Sequence, residues 1–117
     1  MQNFRELNIW KKSIEFSKKT ILITKDFPFS ELYGLVSQMN RASISIPSSI
    51  PEGASRDSNK DFNRFLQIAI GSAFELETQI IWGAEFSFIP QVKANELINE
   101  LNEIQRMMNG FRLELKI

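Results

Sequence analysis

Neither cysteine nor histidine occurs among the 117 residues of this chain. The first absence excludes a disulfide framework, a thiol nucleophile, a thioredoxin-type redox pair and a thiolate metal site. The second excludes Ser-His and Cys-His pairs, the zincin helix and any imidazole ligand. Proton transfer near pH 7 would then fall to a strongly shifted carboxylate or lysine. Composition therefore points away from an enzyme, a metal site and a cofactor. The glycines stand singly, so no Gly-rich loop is present to cradle a phosphate. Excess charge of one sign is missing as well: 14 Lys+Arg face 14 Asp+Glu, whereas a generic nucleic-acid-binding domain is strongly basic. No apolar run approaches the roughly 20 residues that span a bilayer. The longest, around Ile80 to Trp82, is broken at Gly83 and Glu85. The opening MQNFRELNIWKK lacks the apolar stretch of a secretory signal, and a cytoplasmic location is the expectation.

What remains is an ordinary globular balance of 43% apolar and 24% charged residues, read as one domain over 1–117. The zero net charge conceals an asymmetry. Residues 1–64 hold ten basic and seven acidic side chains, whereas 65–117 hold four and seven. Apolar periodicity is helical throughout, and no strand pattern competes with it. Leu7, Trp10, Ile14, Ser17 and Ile21 form one stripe over about 5–25. Ile9, Phe16 and Ile23 form a second stripe well round the same helix, and one bundle needs only one buried face per helix. With ten Phe and two Trp in the chain, that second stripe is the expected interface of a homo-oligomer. A second helix is expected over about 31–50, kinked or ended near Pro47, which removes a backbone hydrogen bond. A third runs from about Asn59 to Ser87 behind a Ser58 cap, with Phe62, Phe65, Leu66, Ala69, Ala73, Leu76, Ile80 and Gly83 inward. Small residues Gly71, Ser72 and Ala73 would let a neighbouring helix approach closely. In the fourth, Leu97, Leu101, Ile104, Met108, Phe111 and Leu115 make a coiled-coil-like seam. The predicted fold is all-α, an up-down antiparallel four-helix bundle.

Within that frame the polar residues read as structure before chemistry. Glu75 and Glu77 are two apart on a helix and point in nearly opposite directions, so they cannot act as a carboxylate pair. Gln38, Arg41 and Ser45 share a face of the second helix, and Arg41 among apolar neighbours asks for an acidic partner, Glu75 or Glu77. The serines between 43 and 58 suit back-bonding, capping and turns, and no Ser-x-x-Lys occurs among them. Arg56, Lys60 and Arg64, spaced by four, form the one compact basic ridge outside the first helix, with Asp57 and Asp61 interleaved. Together with Lys11, Lys12, Lys18 and Lys19 they are the candidate contacts for RNA.

Across the second and third helices one ordered run stands out. Phe27-Pro28, Glu31, Tyr33-Gly34-Leu35, Gln38, Arg41-Ala42, Ser45-Ile46-Pro47, Ile50, Glu52-Gly53 and Arg56 open it. Phe62, Arg64-Phe65-Leu66, Ala69, Gly71-Ser72 and Glu75-Leu76-Glu77 continue it. The run, with Phe4, Leu7 and Trp10 ahead of it, resembles the 23S rRNA-intervening-sequence proteins, also called S23 ribosomal proteins. The resemblance implies a helical bundle assembling into a cyclic homo-oligomer, a pentamer. It also implies a setting near ribosomal RNA or another ribonucleoprotein, since a related group accompanies reverse transcriptases as a basic, RNA-binding barrel. By position it makes Gln38, Arg41, Glu52, Arg56, Glu75 and Glu77 a polar signature that holds bundle or oligomer together. Ser49 and Pro51 stand where that family usually shows Asn and Ala, and the neutral charge departs from the basic relatives. The leading expectation is a non-enzymatic, self-assembling scaffold; the alternative is direct RNA binding by a basic face of the oligomer.

Overall fold

The computed structural model describes residues 3–117. Among them are four long helices and no strand: α1 (Asn8–Thr24), α2 (Ser37–Ala54), α3 (Asn59–Glu85) and α4 (Gln91–Leu113). Single turns at Phe4–Glu6, Phe29–Glu31 and Leu32–Val36 precede α1 and α2. Side-chain contacts fix how the helices pair. Ser45 meets Ser72 at 2.9 Å, and Gly53 lies against Phe62 and Phe65, so α2 and α3 run antiparallel. Asn63 with Arg112 and Glu77 with Asn102 do the same for α3 and α4. Lys12–Glu103 and Lys19–Glu100 close the ring between α4 and α1. The molecule measures 44 × 24 × 20 Å, about two helices by two.

The core forms where the apolar stripes meet. All eight residues expected inward on α3 are buried, and from α4 so are Leu97, Leu101, Ile104 and Met108. Phe111 and Leu115, lower on that seam, are half-buried. Met39, Ala42, Ile46 and Ile50 supply α2. On α1 the outcome reverses the expectation. Ile9 and Phe16 are 3% and 2% exposed, inside the bundle, and Ile23 packs against the same core. This stripe is the single chain's own core face and cannot be an oligomer interface. It is completed by Ser13, Ser17, Thr20 and Thr24, all buried. Their hydroxyls donate to the carbonyls of Ile9, Ile14, Phe16 and Ile21 within the same helix, and Thr24 Oγ1 also meets Asn40 Oδ1 of α2 at 2.9 Å.

Two local features also differ from expectation. Helix α2 runs on through Pro47 and Pro51 to Ala54. The helical backbone breaks at its other end, at Gly34, where φ is −111° and ψ −106° inside a π-helical turn. Ser72 does meet Ser45 of α2 and Ala73 is buried in the core, but Gly71 is exposed, with nothing within 4 Å of where its Cβ would stand.

Candidate interaction surfaces

The basic residues of α1 are largely answered by carboxylates. Lys12 bonds Glu103 at 2.9 Å, Lys19 bonds Glu100 at 2.7 Å, and Lys18 bonds Glu15 at 3.2 Å. The Lys12 ammonium, which donates to Glu103, holds that carboxyl below the usual carboxylate range. These pairs flank a cleft of about 400 Å³ between α1 and α4, which Lys11 also lines. The four lysines therefore lie on a face of mixed sign rather than a basic one. Such exposed pairs contribute little to stability.

The ridge at the α2–α3 turn is built differently. Ser58 caps α3 by accepting the Asp61 N–H at 3.1 Å. The guanidiniums of Arg56 and Arg64 both lie over the Phe65 ring, 4.7 and 4.6 Å from its centroid. Neither has a carboxylate within salt-bridge distance among the described residues. Phe65 is 7% exposed yet stands outside the main core cluster, so its cover comes in part from these two arginines. Lys60 is exposed between them in sequence, with Asp57 and Asp61 alongside.

The polar signature separates into two sets. Glu77 accepts from Asn102 and Gln105, each at 2.9 Å, and ties α3 to α4. Arg41 has no such tie. It is exposed and pairs with neither Glu75 nor Glu77, because Glu77 is turned to α4 and Glu75 accepts from Gln79 one turn along α3. The expected pairing of Arg41 fails for a geometric reason: it sits exposed on the outer edge of α2, beside the Ser45–Ser72 contact. Gln38, Glu52 and Glu75 are exposed too.

Sequence patterning did not single out the exposed apolar surface. Trp82 and Phe86 project from the α2 side of α3, 56% and 59% exposed; Phe74 and Ile81 project from its α4 side. Trp82 and Phe86 continue the spacing of three and four from Ser72, Glu75 and Gln79, a second stripe on α3 beside its core stripe. That spacing was the available signal. No group of three or more acidic side chains is placed to hold a metal among the described residues, and no helix there is long and apolar enough to cross a membrane.

Comparison with known proteins adds the fold and the family. The chain superposes with a TM-score of 0.83 on a crystal structure from Bacteroides thetaiotaomicron VPI-5482, a protein of unknown function from the S23 ribosomal protein family. The two share 23% identity over 90% of this chain and 95% of the other, which establishes a common fold. No curated protein matches. The model of the family described as 23S rRNA-intervening sequence protein matches residues 5–110. That span takes in α1 to α3 whole and most of α4, with the outward Arg41 and Glu75 and the Glu77 tie, and the chain belongs to the 23S rRNA-intervening sequence protein family.

Proposed function

We propose that this protein is a non-enzymatic, self-assembling helical bundle that acts as a scaffold, in the cytoplasm and in a ribonucleoprotein setting. One observation carries the reading: a bundle with a filled core still exposes Phe74, Ile81, Trp82 and Phe86 along one helix. Clustered exposed aromatics on a soluble domain mark contact surfaces. A net charge of zero leaves copies of the chain free to associate without mutual repulsion. Assembly is read from α3; the α1 stripe is core. Light scattering after size exclusion tests it. The expected mass is a multiple of 13.5 kDa, the pentamer being the multiple that the family resemblance implies. A monomer at micromolar concentration overturns the reading.

Direct RNA binding is a second reading, supported by the two carboxylate-free arginines on Phe65. An arginine held over an aromatic ring is pre-organised for phosphate or base contact. Lys12, Lys18 and Lys19 lend less, being paired. If Arg56, Lys60 and Arg64 contact phosphates, RNA affinity falls steeply from low to moderate salt, with a slope near −0.7 per neutralised phosphate on single strands. An affinity that ignores salt excludes it.

A further inference from the structure

Gln79 is the one buried side chain among the described residues with a polar atom left unanswered. It is 6% exposed; its Nε2 donates to Glu75 Oε1 at 3.1 Å, while its Oε1 accepts nothing. That contact fixes the amide: a carboxylate only accepts, so the nitrogen faces Glu75 and the oxygen is left over. A buried acceptor without a donor is rare in folded proteins and calls for a partner. Gln79 lines a cleft of about 320 Å³ between the Gly34 break and the end of α3. Leu35, Trp82 and Phe86 give that cleft apolar walls, and Glu31 and Gln38 stand at it from the α2 side. No lysine or arginine lines it. Glu31, itself half-buried, has no cation within salt-bridge distance among the described residues.

We propose that the Gln79 cleft binds a small organic cation with a flat guanidinium head. The chemistry of the walls selects this class. An anion would meet the Glu31 carboxylate and a second acceptor on Gln79, with no basic side chain to answer it. A neutral apolar molecule would leave Gln79 Oε1 as it is. A metal ion would find one carboxylate and amide oxygens, where a hard cation takes on the order of six oxygen ligands. A guanidinium answers each group at once. One N–H reaches Gln79 Oε1, others reach the Glu31 carboxylate, and its plane lies against the aromatic wall. An ammonium carries the same charge but is more strongly hydrated and does not stack, so apolar walls favour the flat head. A cleft of about 320 Å³ is the size of a small-molecule site. The inference goes beyond the assembly reading and does not depend on it. Trp82 and Phe86 are 56% and 59% exposed, which leaves ring surface for another chain.

Propylguanidinium chloride is titrated into the full-length, isotope-labelled protein while the side-chain N–H signals of Gln79 and Trp82 are followed by NMR. Both should shift saturably, with a dissociation constant of about 1 mM for so small a ligand. Propylurea has the same shape without the charge, and butylammonium the charge without the flat head. Each should bind about tenfold more weakly or worse. Glu31→Gln and Gln79→Met, read at Trp82, should each weaken propylguanidinium by about tenfold, with far-UV circular dichroism unchanged. Propylurea binding equally well overturns the cation, and butylammonium binding equally well overturns the guanidinium head. Affinity unchanged in Glu31→Gln overturns the site, even where Gln79→Met fails to fold. Absence of a saturable shift at about 10 mM, well above that constant, overturns the proposal outright. N-acetylarginine methylamide carries the same head on a peptide unit. Binding about tenfold tighter than propylguanidinium would overturn the small-molecule assignment in favour of an arginine of a partner protein.

Discussion

Gly53 shows how tightly α2 is pressed on α3. A Cβ at this position would stand 2.8 Å from both Phe62 Cδ1 and Phe65 Cβ, and 3.2 Å from the Phe62 carbonyl oxygen. Two of those atoms cannot retreat by a side-chain rotation: the carbonyl is backbone and Phe65 Cβ is fixed to it. Overpacking of this kind costs about 1–3 kcal/mol, against about 1 kcal/mol that alanine gains over glycine in a helix. Gly53→Ala should therefore lower the urea midpoint without changing the slope. Gly71→Ala, which meets nothing within 4 Å, should raise it, and a Gly53 variant at least as stable as the Gly71 one would refute the close approach. Gly83 differs again, since its would-be neighbour at 2.8 Å is Ile89 Cδ1, the tip of a flexible side chain. The long helices carry four glycines, Gly53, Gly71, Gly83 and Gly110, and the sequence offers no reason to rank them. Rank comes from the facing helix, which a single sequence does not display.

The helices themselves were largely legible, and their misread ends have physical causes. On α3 and α4 apolar residues recur every third or fourth position, and burial follows that pattern. On α1 the true inner face intersperses Ser13, Ser17, Thr20 and Thr24 among Ile9, Phe16 and Ile23, so a large apolar residue recurs on it only every seven positions. Hydroxyls bonded to carbonyls of their own helix thin the apolar pattern, so that a core face reads as a spare stripe. On α2, Pro47 reads as a stop because it deletes a hydrogen bond, yet Ile46, Ile50 and Ala54 keep the inward spacing and their burial holds the helix. The close of α3 is a Schellman turn. Phe88 N–H donates to Gly83 O at 2.8 Å and Ser87 N–H to Ala84 O at 3.0 Å. Ser87 pays for that turn with a φ of +61°, where a side chain costs roughly 1–2 kcal/mol. Ser87→Gly should stabilise the protein by up to about 1 kcal/mol, a thermal midpoint higher by a few degrees. A lower midpoint would mean that the Ser87 side chain contributes more than its strain costs.

For the whole molecule, the decisive question is which apolar residues the single chain buries and which it leaves exposed. Sequence patterning placed the assembly surface on Phe16, because a helix with two stripes has one to spare. The spare stripe lies instead on α3, where Trp82 and Phe86 continue a run of polar residues and so escape an inward-facing pattern. The two positions differ in a measurable way. Phe16 is 2% exposed, and loss of a buried Phe side chain alone costs about 3–5 kcal/mol. An uncompensated carboxylate in its place adds a desolvation penalty, and a domain of this size has only about 5–15 kcal/mol to lose. Phe16→Glu should therefore lose far-UV helicity and assembly together. Trp82→Glu, with its side chain already half in water, should lose assembly alone. A Phe16→Glu chain that keeps wild-type helicity would show that the bundle core does not close over α1. The antiparallel contacts at Lys12–Glu103 and Lys19–Glu100 would then have to hold that helix on exposed ion pairs, which are too weak for the task.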